Sequence, residues 1–210
     1  MRDVDVRKVL FGGPLQRYMK DGHSRIVEEL SLCQGDARID VAVVNGKLHG
    51  FEIKSDRDTL ERLPGQVTVY SKVFDNVTLV TGETHLEKSL HVVPEWWGVS
   101  VVVLRNKTLR IKTVRRPKQN SNIDVRSVVQ LLWKNECQAL LARYGIESKS
   151  FSKSLLWDLL VEELEPRDIC INVREMLKQR KGWREGVERQ RPPRHQSTVA
   201  TYVGPLISFS

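Results

Sequence analysis

The sequence predicts an α/β fold: a mixed sheet flanked by helices, with an all-helical C-terminal extension. Up to residue 115, short β-branched runs alternate with amphipathic segments, as expected when helices cover the faces of a sheet. Beyond residue 122 the strand-like runs stop and apolar residues recur at helical spacing. These two observations define the fold class.

Two helices are predicted before the first strand. Residues 3–10 form the first, because the glycines that follow end it. Residues 23–33, HSRIVEELSLC, form the second, since Ile26, Val27 and Leu30 make an apolar stripe along one side of a helix. Both helices should pack against the sheet that follows them.

A β-hairpin is the most strongly indicated element. Residues 37–44, ARIDVAVV, are apolar and β-branched, and residues 48–55 form the returning strand. Between them lies Asn45-Gly46, a strong two-residue hairpin signal because both residues tolerate positive φ. The two strands should therefore be antiparallel neighbours.

The later elements follow from the same patterns. A helix is expected from Asp56 to Phe74, broken or kinked at Pro64-Gly65 because proline interrupts a helix interior. The remaining predicted elements are strands at 76–82, 98–104 and 108–114, and helices at 85–96, 125–144, 152–164 and 168–180.

Three regions are expected in the 210 residues. Residues 1–118 form the α/β core and residues 122–187 the C-terminal helical region, because the pattern changes between them. Residues 188–210 form a basic linker and tail, in which PPRHQS is typical of an unstructured segment.

The charge distribution favours a polyanionic partner. The net charge is +8, from 34 Lys and Arg against 26 Asp and Glu. Residues 101–120 hold seven basic residues and no acid. On the strand at 108–114, Arg110 and Lys112 share a face, where they would contact phosphates or form a solvated sheet edge.

Other classes of protein are disfavoured. No apolar run approaches the ~20 residues of a membrane span, and the N-terminus has no signal-peptide core, so we expect a cytoplasmic protein without a membrane partner. The cysteines Cys33, Cys137 and Cys170 lie far apart and form no CxxC pair, which argues against a disulfide framework and a zinc ribbon.

The predicted hairpin gathers three charged residues. Asp40 lies on its first strand, and Glu52 and Lys54 share a face of its second strand. At a strand separation of ~4.8 Å the two carboxylates can share a divalent cation, and the ammonium can orient a water molecule. The alternative is an exposed sheet face with an ion pair worth ~0–1 kcal/mol.

These residues resemble the PD-(D/E)XK phosphodiesterase superfamily. Asp40 followed by Glu52-Ile53-Lys54 matches its core pattern, and Gln66 to Tyr70 is similar to the QxxxY element of RecB-type nucleases. The resemblance covers residues 20–115 and points within that superfamily to an uncharacterised bacterial group of small predicted nucleases.

The resemblance implies a restriction-endonuclease-like core and a catalytic site. Asp40 and Glu52 would bind Mg²⁺ or Mn²⁺, and Lys54 would position the attacking water. Glu29 would be an auxiliary ligand, with Glu28 as the alternative, since adjacent helical positions point about 100° apart. Gln66 and Tyr70 would support the site or contact the nucleic-acid backbone.

The sequence therefore predicts a metal-dependent nuclease that hydrolyses nucleic acid, DNA in preference to RNA. A homodimer would suit cutting of both strands. The first alternative is a DNA-binding protein that keeps this fold without the chemistry. The second is an interaction module whose basic face meets an acidic protein.

Overall fold

A computed structural model describes residues 1–181 of the chain. Its centre is a six-stranded sheet in which the strands lie side by side in chain order. The strands are β1 (Arg25–Leu32), β2 (Ala37–Val44), β3 (Leu48–Lys54), β4 (Asn76–Gly82), β5 (Gly98–Arg105) and β6 (Thr108–Arg115). The predicted mixed sheet with flanking helices is confirmed.

Strand direction follows from the connections. β1, β2 and β3 form an antiparallel meander joined by short loops. β3, β4 and β5 run parallel, because α3 (Leu63–Val73) and α4 (Leu86–Val92) provide the crossovers that parallel strands require. β6 returns antiparallel to β5 through a tight turn.

Helices cover both faces of the sheet. α1 (Asp3–Gly12) and α2 (Gln16–Lys20) cover one face, where Val6 and Leu10 join Phe51, Ile53 and Val80 in the smaller apolar cluster. The larger cluster on the other face combines sheet residues with residues of the remaining helices. These are α3, α4, α5 (Val125–Val129), α6 (Lys134–Arg143), α7 (Lys153–Glu163) and α8 (Pro166–Gln179).

The helices after residue 122 pack on the sheet. Leu140, Leu160 and Val173 belong to the same buried cluster as Val44 and Leu79 of the sheet. Asp75, which follows α3, also forms an ion pair of 3.0 Å with Arg174 of α8. The division into regions at 1–118 and 122–187 stays a prediction, and the tail at 188–210 lies outside the described residues.

The helix predicted at residues 23–33 is wrong, because this segment is β1. Glu29 has a φ of +56°, and this left-handed residue shifts the alternation of the strand. Val27 and Leu30 consequently both face the larger cluster although they are three residues apart. The sequence shows helix-like spacing in a segment that pairs with β2 on both sides of Glu29.

Two other helix predictions need correction. α3 is one helix that begins at Leu63, with Pro64 in its first turn, where the missing N–H of proline leaves no bond unmade. The single helix predicted at 125–144 is two, α5 and α6. Trp133 between them is extended and donates its backbone N–H to Glu136 at 2.7 Å, which starts a new helix. α2 was not predicted.

Within residues 1–181, no helix has the length and apolar character needed to cross a membrane.

Candidate functional site

Arg7 on α1 binds the carboxylates of the meander. Its Nη1 donates to Glu28 at 3.0 Å, and its Nη2 donates to Glu29 at 2.6 Å and to Asp40 at 2.9 Å. Its Nε bonds Asp3 of the same helix at 3.2 Å. Both Glu28 and Glu29 therefore bind the guanidinium of Arg7. In the helix that the sequence predicted, only one of them could have faced the site.

Asp40 uses both carboxylate oxygens. Oδ1 binds Arg7, and Oδ2 accepts the backbone N–H of Ile53 at 2.7 Å, just beyond the last β2–β3 pair, Val41 with Phe51. Burial and the charge of Glu52 raise the pKa of Asp40 to about 7, against the lowering effects of the Ile53 N–H and Arg7. The side chain closes the gap where the two strands separate.

Glu52 lies deeper, with 2% of its surface exposed. Its Oε1 accepts from Lys54 Nζ at 2.7 Å and from Gln66 Nε2 at 2.6 Å. Its Oε2 accepts from the Tyr70 hydroxyl at 2.7 Å. Lys54 is itself 4% exposed, so the pair is a buried ion pair with its hydrogen bonds made, rather than the exposed pair considered from the sequence.

Gln66 and Tyr70 tie α3 to β3. Burial and the charge of Glu52 raise the pKa of the Tyr70 phenol well above its usual range, so the hydroxyl stays protonated and donates. The Gln66 Oε1 is buried and has no hydrogen-bond partner among the described residues. The structure thus brings together Asp40, Glu52, Lys54, Gln66 and Tyr70, as the predicted site requires, and adds Arg7.

The donor set around Asp40 and Glu52 does not fit Mg²⁺ or Mn²⁺ as it stands. These ions need several oxygen ligands, but both oxygens of Asp40 and of Glu52 already accept hydrogen bonds. No group of three or more His, Cys, Asp or Glu in residues 1–181 is arranged to hold a metal ion. Metal binding at Asp40, Glu52 and Glu29 stays a prediction, and no chemical step is derived from it.

The β5–β6 hairpin carries the basic segment found in the sequence. Arg110 and Lys112 are exposed on β6, opposite Val103 and Val101 of β5, and so share a face as predicted. Six basic side chains of this segment are exposed and take part in no hydrogen bond or ion pair with any described residue. They are Arg105, Lys107, Arg110, Lys112, Arg116 and Lys118.

Arg115 differs from these six. Its Nε donates to the carbonyl of Trp97 at 2.8 Å and its Nη2 to the carbonyl of Pro94 at 2.9 Å. It therefore fixes β6 to the loop before β5, whereas its neighbours on the strand are free to meet a partner.

The family model described as Bacteriophage P4 protein cII matches residues 13–191. The chain belongs to this family. A curated relative, Protein cII of Enterobacteria phage P4, is 33% identical over 135 residues, which is 64% of this chain and 50% of the relative. The cII-family chain thus spans about half the length of that curated relative. No solved structure matches the present chain.

Family membership overturns the predicted identity. The chain was expected to belong to the PD-(D/E)XK phosphodiesterases and to a bacterial nuclease group, and both assignments are wrong, because the cII family covers most of the chain. The predicted nuclease function and hydrolase class are therefore wrong as well, whereas the binding of Mg²⁺ or Mn²⁺ stays a prediction. The short motif of Asp40, Glu52 and Lys54 is too small to outweigh a match over 13–191.

Two features were not predicted from the sequence. Arg7 lies 33 residues before Asp40 in the chain, and an i, i+4 pair with Asp3 is its only local signal. The turn residues Asn106 and Lys107 both have positive φ, +48° and +62°. The Asn-Lys dipeptide between two short strands could have indicated this turn, since asparagine tolerates the left-handed region.

Proposed function

We propose that this cII-family chain is a DNA-binding protein that acts by occupying duplex DNA without hydrolysing it. One observation carries the proposal. The segment from Arg105 to Lys118 presents six exposed basic side chains without an ion-pair partner among the described residues, and it contains no acid. Unpaired cations in one segment are the electrostatic footprint of a nucleic-acid contact.

Other cations of the protein are paired internally, in contrast to those of the segment from Arg105 to Lys118. Lys54 is paired with Glu52, and Arg174 with Asp75, so these charges hold elements together. Arg7 is likewise surrounded by acceptors. The six exposed cations from Arg105 to Lys118 make no such internal contact with described residues, which leaves them for an external polyanion.

Salt dependence provides a quantitative expectation. Each phosphate neutralised by a basic side chain releases counterions, with a slope of about −0.9 in log K against log salt per contact on duplex DNA. Six contacts would produce a slope of roughly −5. A measured slope near zero would contradict binding through these charges.

The experiment compares two charge-matched variants by fluorescence anisotropy with a short mixed-sequence duplex. The test variant carries Arg105→Gln, Arg110→Gln and Lys112→Gln. The control removes three exposed basic residues, on α2, α6 and α8, that form no ion pair with described residues: Lys20→Gln, Lys134→Gln and Arg167→Gln. We expect the test variant to lose at least tenfold in affinity and about three units of salt slope, and the control to lose much less. Equal losses would contradict a binding surface on the hairpin.

The finer predictions of fold, partner and assembly belong to the same proposal. The order of the meander, α3 and the parallel strands, with Asp40 and Glu52 on its hairpin, supports a restriction-endonuclease-like arrangement that serves as a binding scaffold. Binding of DNA in preference to RNA and assembly as a homodimer are proposed with it. Sedimentation of the chain with and without the duplex tests the dimer.

A further inference from the structure

The tip of the β5–β6 hairpin projects beyond the rest of the sheet. β4 pairs with β5 only as far as Gly82 with Val102. Beyond that point Val103 to Arg105 pair only with Thr108 to Arg110. At about 3.3 Å per residue, these three pairs form a two-stranded arm about 10 Å long. The arm is defined as residues 103–110.

The two faces of the arm differ in chemistry. Directly opposed residues share a face, so Arg105 with Thr108 and Arg110 with Val103 lie together on one side. Leu104 and Leu109 lie on the other side, where Leu109 packs against the cluster that α1 covers. Leu109 thus turns toward the protein, whereas Leu104 nearer the tip is 64% exposed. On the opposite face Arg105 and Arg110 are both exposed and available to a partner.

The tip of the arm is held in a costly conformation. Lys107 has a φ of +62°, a region that disfavours side chains other than glycine, asparagine and aspartate by about 1–2 kcal/mol. Asn106, also left-handed, is among the residues that tolerate it. Glycine is the usual second residue of such a turn. A lysine there sacrifices stability and places another cation at the end of the arm.

The geometry points to insertion of this arm into the major groove of B-form DNA, an inference that rests on the proposed DNA binding. The groove is about 12 Å wide and 8.5 Å deep and admits a two-stranded ribbon, which matches the length of the arm. Alternate residues on one face are about 6.8 Å apart, or two base-pair steps of about 3.4 Å. Arg105 and Arg110 are the side-chain type that most often contacts guanine edges.

The same geometry excludes duplex RNA as the preferred partner. The major groove of A-form RNA is deep and too narrow for side chains to read. A protein that contacted phosphates alone would accept both duplexes. An arm in the groove requires the B-form, so the inference names the class of nucleic acid as well as the surface that binds it.

The experiment blocks the major groove and leaves the phosphates in place. Affinity of the full chain is measured for a DNA duplex, for the same duplex with glucosylated 5-hydroxymethylcytosine, and for RNA of the same sequence. We expect glucosylation to weaken binding by on the order of tenfold or more, and RNA to bind more weakly than DNA. Netropsin, which fills the minor groove, should have little effect.

Paired variants assign the effect to the arm. The variant Arg105→Ala with Arg110→Ala should bind plain and glucosylated DNA equally, whereas Arg116→Ala with Lys118→Ala, outside the arm, should keep the difference. Equal affinity of the wild-type chain for the two duplexes would overturn the inference and leave the proposed function standing. Failure of the wild-type chain to bind either duplex at low salt would overturn both.

Discussion

The guanidinium of Arg7 and the carboxylate of Asp40 form an ion pair of 2.9 Å that joins α1 to β2. Arg7 also reaches Glu28 and Glu29 on β1. One side chain of a helix thus holds two strands, and it neutralises carboxylates that would otherwise repel one another at close range.

Removal of Arg7 should destabilise the fold. Its side chain is 20% exposed, so we expect Arg7→Met to cost roughly 2 kcal/mol in the free energy of unfolding, less than a fully buried pair would. Urea denaturation measures this change in the free energy of unfolding. Arg2→Met removes a pair whose arginine is 63% exposed and should change stability by less than about 0.5 kcal/mol. Similar losses of stability in both variants would contradict the role of Arg7 in holding α1 to the sheet.

Asp40 should make stability depend on pH. Its pKa is raised from 3.8 to about 7 in the fold, so the folded state holds the proton more tightly than the unfolded state. The stabilisation by Asp40 is therefore complete below about pH 4 and is lost as the pH rises through about 7. Asp40→Asn keeps an acceptor for the Ile53 N–H and should remove this pH dependence of the free energy of unfolding. Denaturation curves recorded at a series of pH values measure it. If Asp40→Asn left the pH dependence of the free energy of unfolding unchanged, another group would be responsible for it.

The buried pair of Glu52 and Lys54 should behave as a unit. Lys54→Met leaves a buried carboxylate without its cation and should cost about 3–5 kcal/mol. Adding Glu52→Gln to it removes the unpaired charge and should recover part of that loss, since Gln66 and Tyr70 remain as partners. A double-mutant cycle of thermal or urea unfolding measures the coupling. Additive losses would mean that the two side chains do not depend on each other.

Lys107→Gly should separate stability from binding. Glycine relieves the left-handed strain at φ +62° and should raise the free energy of unfolding by about 1 kcal/mol. The same change removes a cation from the tip of the arm and should weaken DNA binding several-fold at low salt. Lys134→Gly, at the first position of α6, is the control outside the arm, since it should change stability by less than about 0.5 kcal/mol and leave binding unchanged. A gain in both properties by Lys107→Gly would show that the lysine is not retained for binding.

Local patterns predicted the centre of the sheet well. Alternation along ARIDVAVV and the Asn45-Gly46 turn are sufficient to define the hairpin, because both depend on neighbours in the chain. The same hairpin brings Asp40 and Glu52 near each other as expected. β1 was missed because Glu29 is left-handed, which gives the apolar residues of the strand a helix-like spacing. Its ion-pair partners Arg7 and Arg38 lie on other elements, so its local sequence does not reveal these contacts.

The role of the charged residues was harder to predict than their position. The identity of Asp40, Glu52 and Lys54 agrees equally with a metal site and with a set of internal ion pairs. Which of these applies depends on Arg7, supplied by a helix on the other face of the sheet. The motif alone suggested hydrolysis, whereas the match over residues 13–191 assigned the chain to the cII family.

Binding without cleavage is the central claim, and one gel experiment tests it most directly. The full chain is incubated with a labelled DNA duplex and millimolar Mg²⁺ at low salt, and each sample is divided between a native and a denaturing gel. The expected result is a shifted band on the native gel and intact strands on the denaturing gel, with the shift lost in the Arg105, Arg110 and Lys112 variant. Unshifted DNA, or strands cut by the wild-type chain but not by Asp40→Asn, would contradict the claim.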